Sequence, residues 1–423
     1  MSGAGRLGWF GCLICDFRVM GMKQEFEEAV QWVAQSLTFD HTHSVSVFET
    51  TIRELGGLLS AYDLSGREEL LQKATDLGDR LLNAFSGGVG IPRSQVDLSS
   101  RTSSQGWAGS SAILSELGTL QVEFRYLSHA TGDQKYEQAS MKPLQVMRAK
   151  NPPHGLYPIR VNTANGEFAD RTVTFGALGD SFYEYLLKVW LQGGREEAWL
   201  RDMYDKAMDG VVNVLLKASQ SGLAFLSDWD GHNNHLKMDH LVCFMPGVMT
   251  LGAYTDPLGL ESDRAQRDLA VAKALMYTCR EMYHRTATGI APEFVTFDSR
   301  NDMNTRTSAK FYILRPETAE SLFVMNQLTG DPIYREWAWE IWSAIDRHCR
   351  KGSGFASLQD VNNAHSPVDN RMESFFLAET MKYLYLAQDP DNSIDLMKYV
   401  LNTEAHPMKI FEKGSHKPVS PNR

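Results

Sequence analysis

The chain has 423 residues, a formal net charge of −10 at pH 7 and 43% hydrophobic residues. An acidic surplus excludes the usual electrostatic route to nucleic acid, in which Lys and Arg neutralise phosphates. It is compatible with a neutral substrate such as a sugar. The length would suit two or three domains, but no composition shift marks a boundary, and one all-helical toroid can absorb it.

Residues 1–19 show no helical apolar period, and Gly3, Gly5, Gly8 and Gly11 weaken any helix there. The apolar run at 8–15 is too short to span a bilayer and meets Asp16 and Arg18 at once. No convincing cleavage site follows it. Cys12 and Cys15 have CxxC spacing, yet no second CxxC or His pair completes a zinc site, so the spacing reads as chance.

From Met20-Gly21 onward a helical hairpin recurs: an amphipathic helix, a Gly turn, then a second helix opening on an aromatic or Leu. The turns fall at 20–21, 64–67, 130–133, 192–195 and 328–331, followed by Phe26, Leu70, Tyr136, Trp199 and Tyr334. Glycine suits the left-handed residue that ends a helix. Ser46-Val-Phe-Glu49 reads as a capping box opening a helix to Asp63. Further helices are predicted over about Glu116 to His129 and from Asp180, Glu317 and Glu373, with Pro316 at the start of the fourth. The polar loops are 86–106, 150–173, 218–236, 298–310 and 351–370. The strand-like Gly289–Phe297 suits a small hairpin within a loop. The expected class is all-α.

Several clusters have plain readings. Asp228 to His235 lacks EF-hand spacing and its closing Glu, and reads as a solvated loop. His240 reads as a satisfied buried histidine. Trp337, Trp339 and Trp342 stand at helical spacing and read as core rather than as a sugar platform.

Acids pair on helix faces. Asp180 and Glu184 are four apart, Glu317 and Glu320 three apart, Glu49 and Arg53 four apart, and Phe375 precedes Glu379 by four. Each acid taken alone is explained by capping or the helix dipole. Jointly they suit glycoside hydrolysis. One carboxylic acid protonates the leaving oxygen, another carboxylate activates water, and surplus acids hold water around a hard cation.

Six segments carry a resemblance: Phe48–Gly57, Gly179–Tyr185, Lys237–Cys243, Leu314–Ser321, Met372–Glu379 and Asn402–Pro407. In order, and across nearly the whole chain, they resemble the class I α-mannosidases, glycosyl hydrolase family 47. The resemblance implies an (α/α)7 barrel and inverting, Ca2+-dependent removal of terminal α1,2-linked mannose. The implied partners are high-mannose N-glycans on glycoproteins, in the lumen of the Golgi or endoplasmic reticulum, acted on by a monomer with no membrane anchor in this chain.

By the same resemblance, Glu49 is the general acid, Glu317 the general base and Asp180 the third catalytic carboxylate. Thr403 holds Ca2+ by its hydroxyl and carbonyl, with Glu320, Glu379 and Glu404 holding the metal's waters. Phe375 stacks under the mannose, Arg53, Glu184, His240 and Glu293 complete the pocket, and Cys243 pairs with Cys279. The endoplasmic-reticulum member carries arginine where this chain has Leu178, so Leu178 implies the broader, Golgi-like specificity.

Residues 1–19 depart from the family's first helix. The expected division is therefore a divergent segment 1–19, a catalytic domain 20–412 and a tail 413–423. Lack of that helix would open the ring, bare apolar surface near Phe26 and Leu58, and impair activity; a tail beside adequately packed helices is the alternative. Two other functional readings stand. The degradation-enhancing branch of the family acts on misfolded glycoproteins but usually carries further C-terminal domains. A non-catalytic helical scaffold would show no calcium effect on stability.

Overall fold

The structure, a computed structural model, describes residues 13–40, 43–299 and 302–415. Helices dominate, and the strands are two or three residues long in two- or three-stranded ribbons. Among the described residues, no helix is long and apolar enough to cross a membrane. The chain forms two compact units built from interleaved segments: 1–171, 181–205 and 394–423 in the first, 172–180 and 206–393 in the second. Interleaving explains why no composition shift marks them.

In the first unit the predicted turns hold. Gly21, Gly66, Gly132 and Gly194 all have φ near +70°. Phe26, Leu70 and Tyr136 are buried, while Trp199 is half-buried. The Gln121–Thr131 and Lys135–Lys150 helices pack as a hairpin, and Gly78 lets the Glu68–Leu81 helix meet them, since a Cβ there would lie 2.4 Å from Leu127. The helix predicted over 116–129 is broken: Leu114–Gly118 and Gln121–Thr131 are separate. Gly118 comes so close to Phe182 that a Cβ would lie 2.3 Å from its ring, so tertiary packing decides the path here. Arg125 is fully buried, its charge met by Glu137 at 3.2 Å and Glu197 at 2.6 Å.

The N-terminal expectation needs correction. Residues 13–19 are helical, and Ile14 and Cys15 are fully buried. The four glycines precede this helix, so their penalty does not apply to it; Cys12 and residues 1–11 lie outside the described residues. Phe26 and Leu58, expected to lose cover, are 4% and 2% exposed.

In the second unit the Met245–Tyr254, Asp263–His284, Glu317–Thr329 and Ile333–Cys349 helices pack in sequence. Gly247 permits close approach: a Cβ there would stand 3.1 Å from the Ser321 backbone. Ser321 Oγ accepts from Gly247 N at 2.9 Å and donates to the Cys243 carbonyl. The Cys243–Cys279 disulfide ties this turn to the Asp263–His284 helix, as the resemblance implies. Glu317 opens its helix after Pro316, and Gly330 closes it at φ +69°. The strand Phe294–Thr296 pairs with the remote Lys237–Asp239, and Thr296 also bridges antiparallel to Asn304 in the loop that follows.

Candidate active site

Glu49, Arg53, Glu184, Thr403 and Glu404 belong to the first unit; Leu178, Asp180, His240, Glu293, Glu317, Glu320, Phe375 and Glu379 belong to the second.

In the first unit Ser46 caps its helix as predicted, its hydroxyl accepting from Glu49 N at 3.2 Å. Glu49 thereby stands in the first turn with half its side chain exposed. The chain then widens into a π turn over Thr51–Leu55, a feature frequent at functional sites. Arg53 within it pairs with Glu49 at 2.7 Å and also with the buried Glu404. The Glu54 carboxyl is pushed up to about 8, chiefly by burial and further by Glu49 and Glu404, with Arg53 opposing. Glu116 is pushed up to about 7 by burial and by Glu49. Glu123 reaches about 7 through burial, against hydrogen bonds from Tyr185 and Asn402, each at 2.7 Å. Sequence reasoning did not assign Glu54, Glu116 or Glu123. Glu54 adjoins Arg53 in a quoted motif and was the most accessible signal; the other two become notable only through long-range contacts.

Asn402 organises the C-terminal turn. Its Oδ1 accepts from Glu404 N and His406 N, both at 2.9 Å, and its Nδ2 donates to the Ile52 carbonyl. Gly56 allows this approach, since a Cβ there would lie 2.6 Å from Asn402 Nδ2. Thr403, half-buried between the strands Tyr399–Leu401 and Pro407–Lys409, directs its N–H at Tyr185 Oη, 3.4 Å away. Its hydroxyl and carbonyl meet no hydrogen-bonding partner among the described residues, leaving two oxygens for a hard cation. No group of three or more His, Cys, Asp or Glu among the described residues could hold a metal unaided. A cation on Thr403 would complete its shell with water or substrate oxygens. Glu184 is buried and paired with Lys188 on its own helix.

In the second unit His240 is fully buried, with Nδ1 2.7 Å from Glu317 Oε2 and Nε2 2.7 Å from Tyr283 Oη. Arg315 grips Glu293 through two nitrogens, one contact at 2.8 Å, and lies 4.0 Å from Glu317. Burial pushes the Glu317 carboxyl up, but His240 and Arg315 outweigh it and the net shift is downward. Arg315, missed from sequence, is held protonated against burial by Glu293, Glu317 and Asp180. Its neighbour Leu314 has φ +70°, and the Leu314 carbonyl accepts from Thr380 at 2.7 Å. Phe375 is half-buried, and Glu320 and Glu379 are buried, Glu379 in another π turn over Phe376–Met381. Leu178 is half-buried at φ +80°, immediately before the Asp180 helix.

Two plain readings are tested as well. Asp230 caps a tight turn by accepting from the His232 and Asn233 amides and pairs with His235 at 3.0 Å, but the segment is not simply a loop: Asp228–Trp229 pairs antiparallel with Asn234–His235. Trp339 is not core: it is 57% exposed.

The family model for Glycosyl hydrolase family 47 matches residues 16–410. A mannosyl-oligosaccharide 1,2-alpha-mannosidase of Arabidopsis thaliana is 44% identical over 98% of this chain and 74% of its own length. A mannosyl-oligosaccharide alpha-1,2-mannosidase IA of Spodoptera frugiperda is 43% identical over 99% of this chain, which spans 63% of that relative. Among solved structures, an alpha-1,2-mannosidase from Trichoderma reesei matches with a TM-score of 0.86 and 32% identity, over 96% of this chain and 91% of that one. That match shows the expected fold class, the all-α (α/α)7 barrel.

Proposed function

Because the chain belongs to glycosyl hydrolase family 47, we propose that it is a mannosyl-oligosaccharide 1,2-α-mannosidase, removing terminal α1,2-linked mannose from high-mannose N-glycans with inversion. The observation that carries this reading is the Glu317 carboxylate, anchored by His240 and Arg315 and kept ionised below the usual carboxylate range. An ionised, oriented carboxylate can take a proton from water as the water oxygen bonds to the anomeric carbon. The carbon–oxygen bond to the departing sugar breaks as Glu49 gives its proton to that oxygen. Asp180 is the third carboxylate of the set. Arg53, shared between Glu49 and Glu404, orients both acids. Phe375 supplies an aromatic face for the ring, and Glu184, Glu293, Glu320 and Glu379 complete the polar lining.

Ca2+ would sit on the Thr403 hydroxyl and carbonyl, with waters held by Glu404, Glu320 and Glu379; there it would order sugar hydroxyls. The compartment that fits this activity is the secretory-pathway lumen. Leu178 supports a Golgi-like breadth of action over restriction to one branch. The test is incubation with a free high-mannose oligosaccharide, followed by glycan profiling and NMR of the first-formed sugar. β-Mannose released from several arms is expected; α-mannose, or no mannose, would overturn the reading.

A further inference from the structure

The Ile333–Cys349 helix buries Tyr334, Ala338, Ile341 and Ile345, one face at helical spacing, and so turns Trp339 outward. A single exposed tryptophan needs no explanation. Trp339, however, lines a cavity of about 390 Å3 shared with the C-terminal end of the Asp263–His284 helix, a size within the roughly 300–1,000 Å3 of small-ligand sites. A second indole, Trp337, lines the same cavity in a fixed attitude. Tyr334 packs against it edge-on at 5.9 Å, and the Arg280 guanidinium lies 5.7 Å from its centroid. Trp339 meets no ring or cation among the described residues.

The polar groups of the lining decide the ligand class. Arg280 and Arg347 are donors, Glu340 is an acceptor, and Tyr283, Thr288, Ser343, His284 and His348 can do either. Arg280 already faces Glu281 at 2.9 Å and Glu340 at 3.6 Å, so its charge is largely met. A phosphate or other anion would have to approach the Glu340 carboxylate. A purely apolar ligand would strip water from two guanidinium groups without replacing their hydrogen bonds. A pyranose meets both demands: its C–H face lies on an indole, and its hydroxyls both donate and accept around the rim.

We propose that this cavity is a second carbohydrate site, which takes a neutral oligosaccharide separate from the one being hydrolysed. Its naming as a mannose oligosaccharide rests on the proposed function; its class as a pyranose site does not.

The experiment titrates the Glu317→Gln chain with a high-mannose oligosaccharide in a calorimeter, then repeats it with Trp339→Ala added. A second, weaker equivalent is expected in the first case, and a loss of up to about tenfold in that step in the second, the size of one aromatic stacking contact. Arg347→Ala, also at an exposed position, should weaken the same step. Trp339→Ala alone should hydrolyse the free oligosaccharide at the unaltered kcat. Titrations that neither exposed-site variant changes would overturn the proposal, as would inorganic phosphate displacing the sugar from this step. If the unaltered chain releases no mannose yet Trp339-dependent binding persists, the hydrolase reading fails and the second site stands.

Discussion

His240 joins Glu317 to Tyr283: one imidazole nitrogen lies 2.7 Å from the carboxylate and the other 2.7 Å from the phenol. With the Nδ1 proton directed at Glu317, Nε2 accepts from Tyr283 or from the Thr318 hydroxyl at 3.2 Å. The carboxylate is therefore positioned by a buried group whose own orientation is fixed. Tyr283→Phe should lower kcat by about tenfold with little change in KM, and should raise the acidic limb of the pH–rate profile. An unchanged profile would show that the phenol only fills space.

Glu317→Gln should abolish mannose release while the chain still folds. The pH dependence of stability follows from the downward shift of Glu317. A carboxyl lowered in the folded state stabilises it fully above the unfolded value of about 4.5, and that contribution is lost as pH falls through the folded value. The melting-temperature gap between the unaltered chain and Glu317→Gln should thus be widest at neutral pH and close in acid.

Glu116 should behave in the opposite sense. Its carboxyl is pushed up to about 7, first by burial and then by Glu49. Ionising it disfavours the folded state, so stability drains between about 4.5 and 7 as pH rises. Glu116→Gln should melt with the unaltered chain at pH 4 and above it at pH 8. Parallel curves across that range would contradict the shift.

Removal of calcium tests the Thr403 oxygens. Chelation should lower the melting temperature, and Ca2+, but not Mg2+, should restore it. At a hundredfold excess over Kd the restored stability is about 2.7 kcal/mol. Thr403→Val, which removes the hydroxyl, should abolish most of the response. A melt indifferent to chelator and calcium would remove Ca2+ from the proposed function.

Gly56→Ala tests the packing beneath that turn. Its Cβ would stand 2.6 Å from Asn402 Nδ2 and 3.2 Å from the His406 ring. A cost of about 1–3 kcal/mol is expected from a shift in the denaturant midpoint. A midpoint within error of the unaltered chain would show that the turn yields freely.

Local rules made much of the fold legible. The Ser46 cap, the helix starts at Asp180 and Glu317, and the glycines at 66, 132 and 330 follow from neighbouring residues alone, and the structure has them all. What sequence missed depends on distant partners. The break before Gln121 depends on Phe182, and the significance of Arg315 on Glu293 and Glu317. The outward turn of Trp339 depends on which face of its helix is covered. Residues 13–19 were misjudged because glycines outside the helix were counted against it.

Leu178 sits at φ +80°, where any residue with a Cβ bears roughly 1–2 kcal/mol of backbone strain. Leucine and arginine bear it equally, so exchanging one for the other leaves the backbone term almost unchanged and alters only the side chain's reach and charge. Glycine would relieve the strain but leave no side chain. Position 178 therefore resembles a socket: the strain is built into the backbone, and side chains unbranched at Cβ can be exchanged there without adding to it.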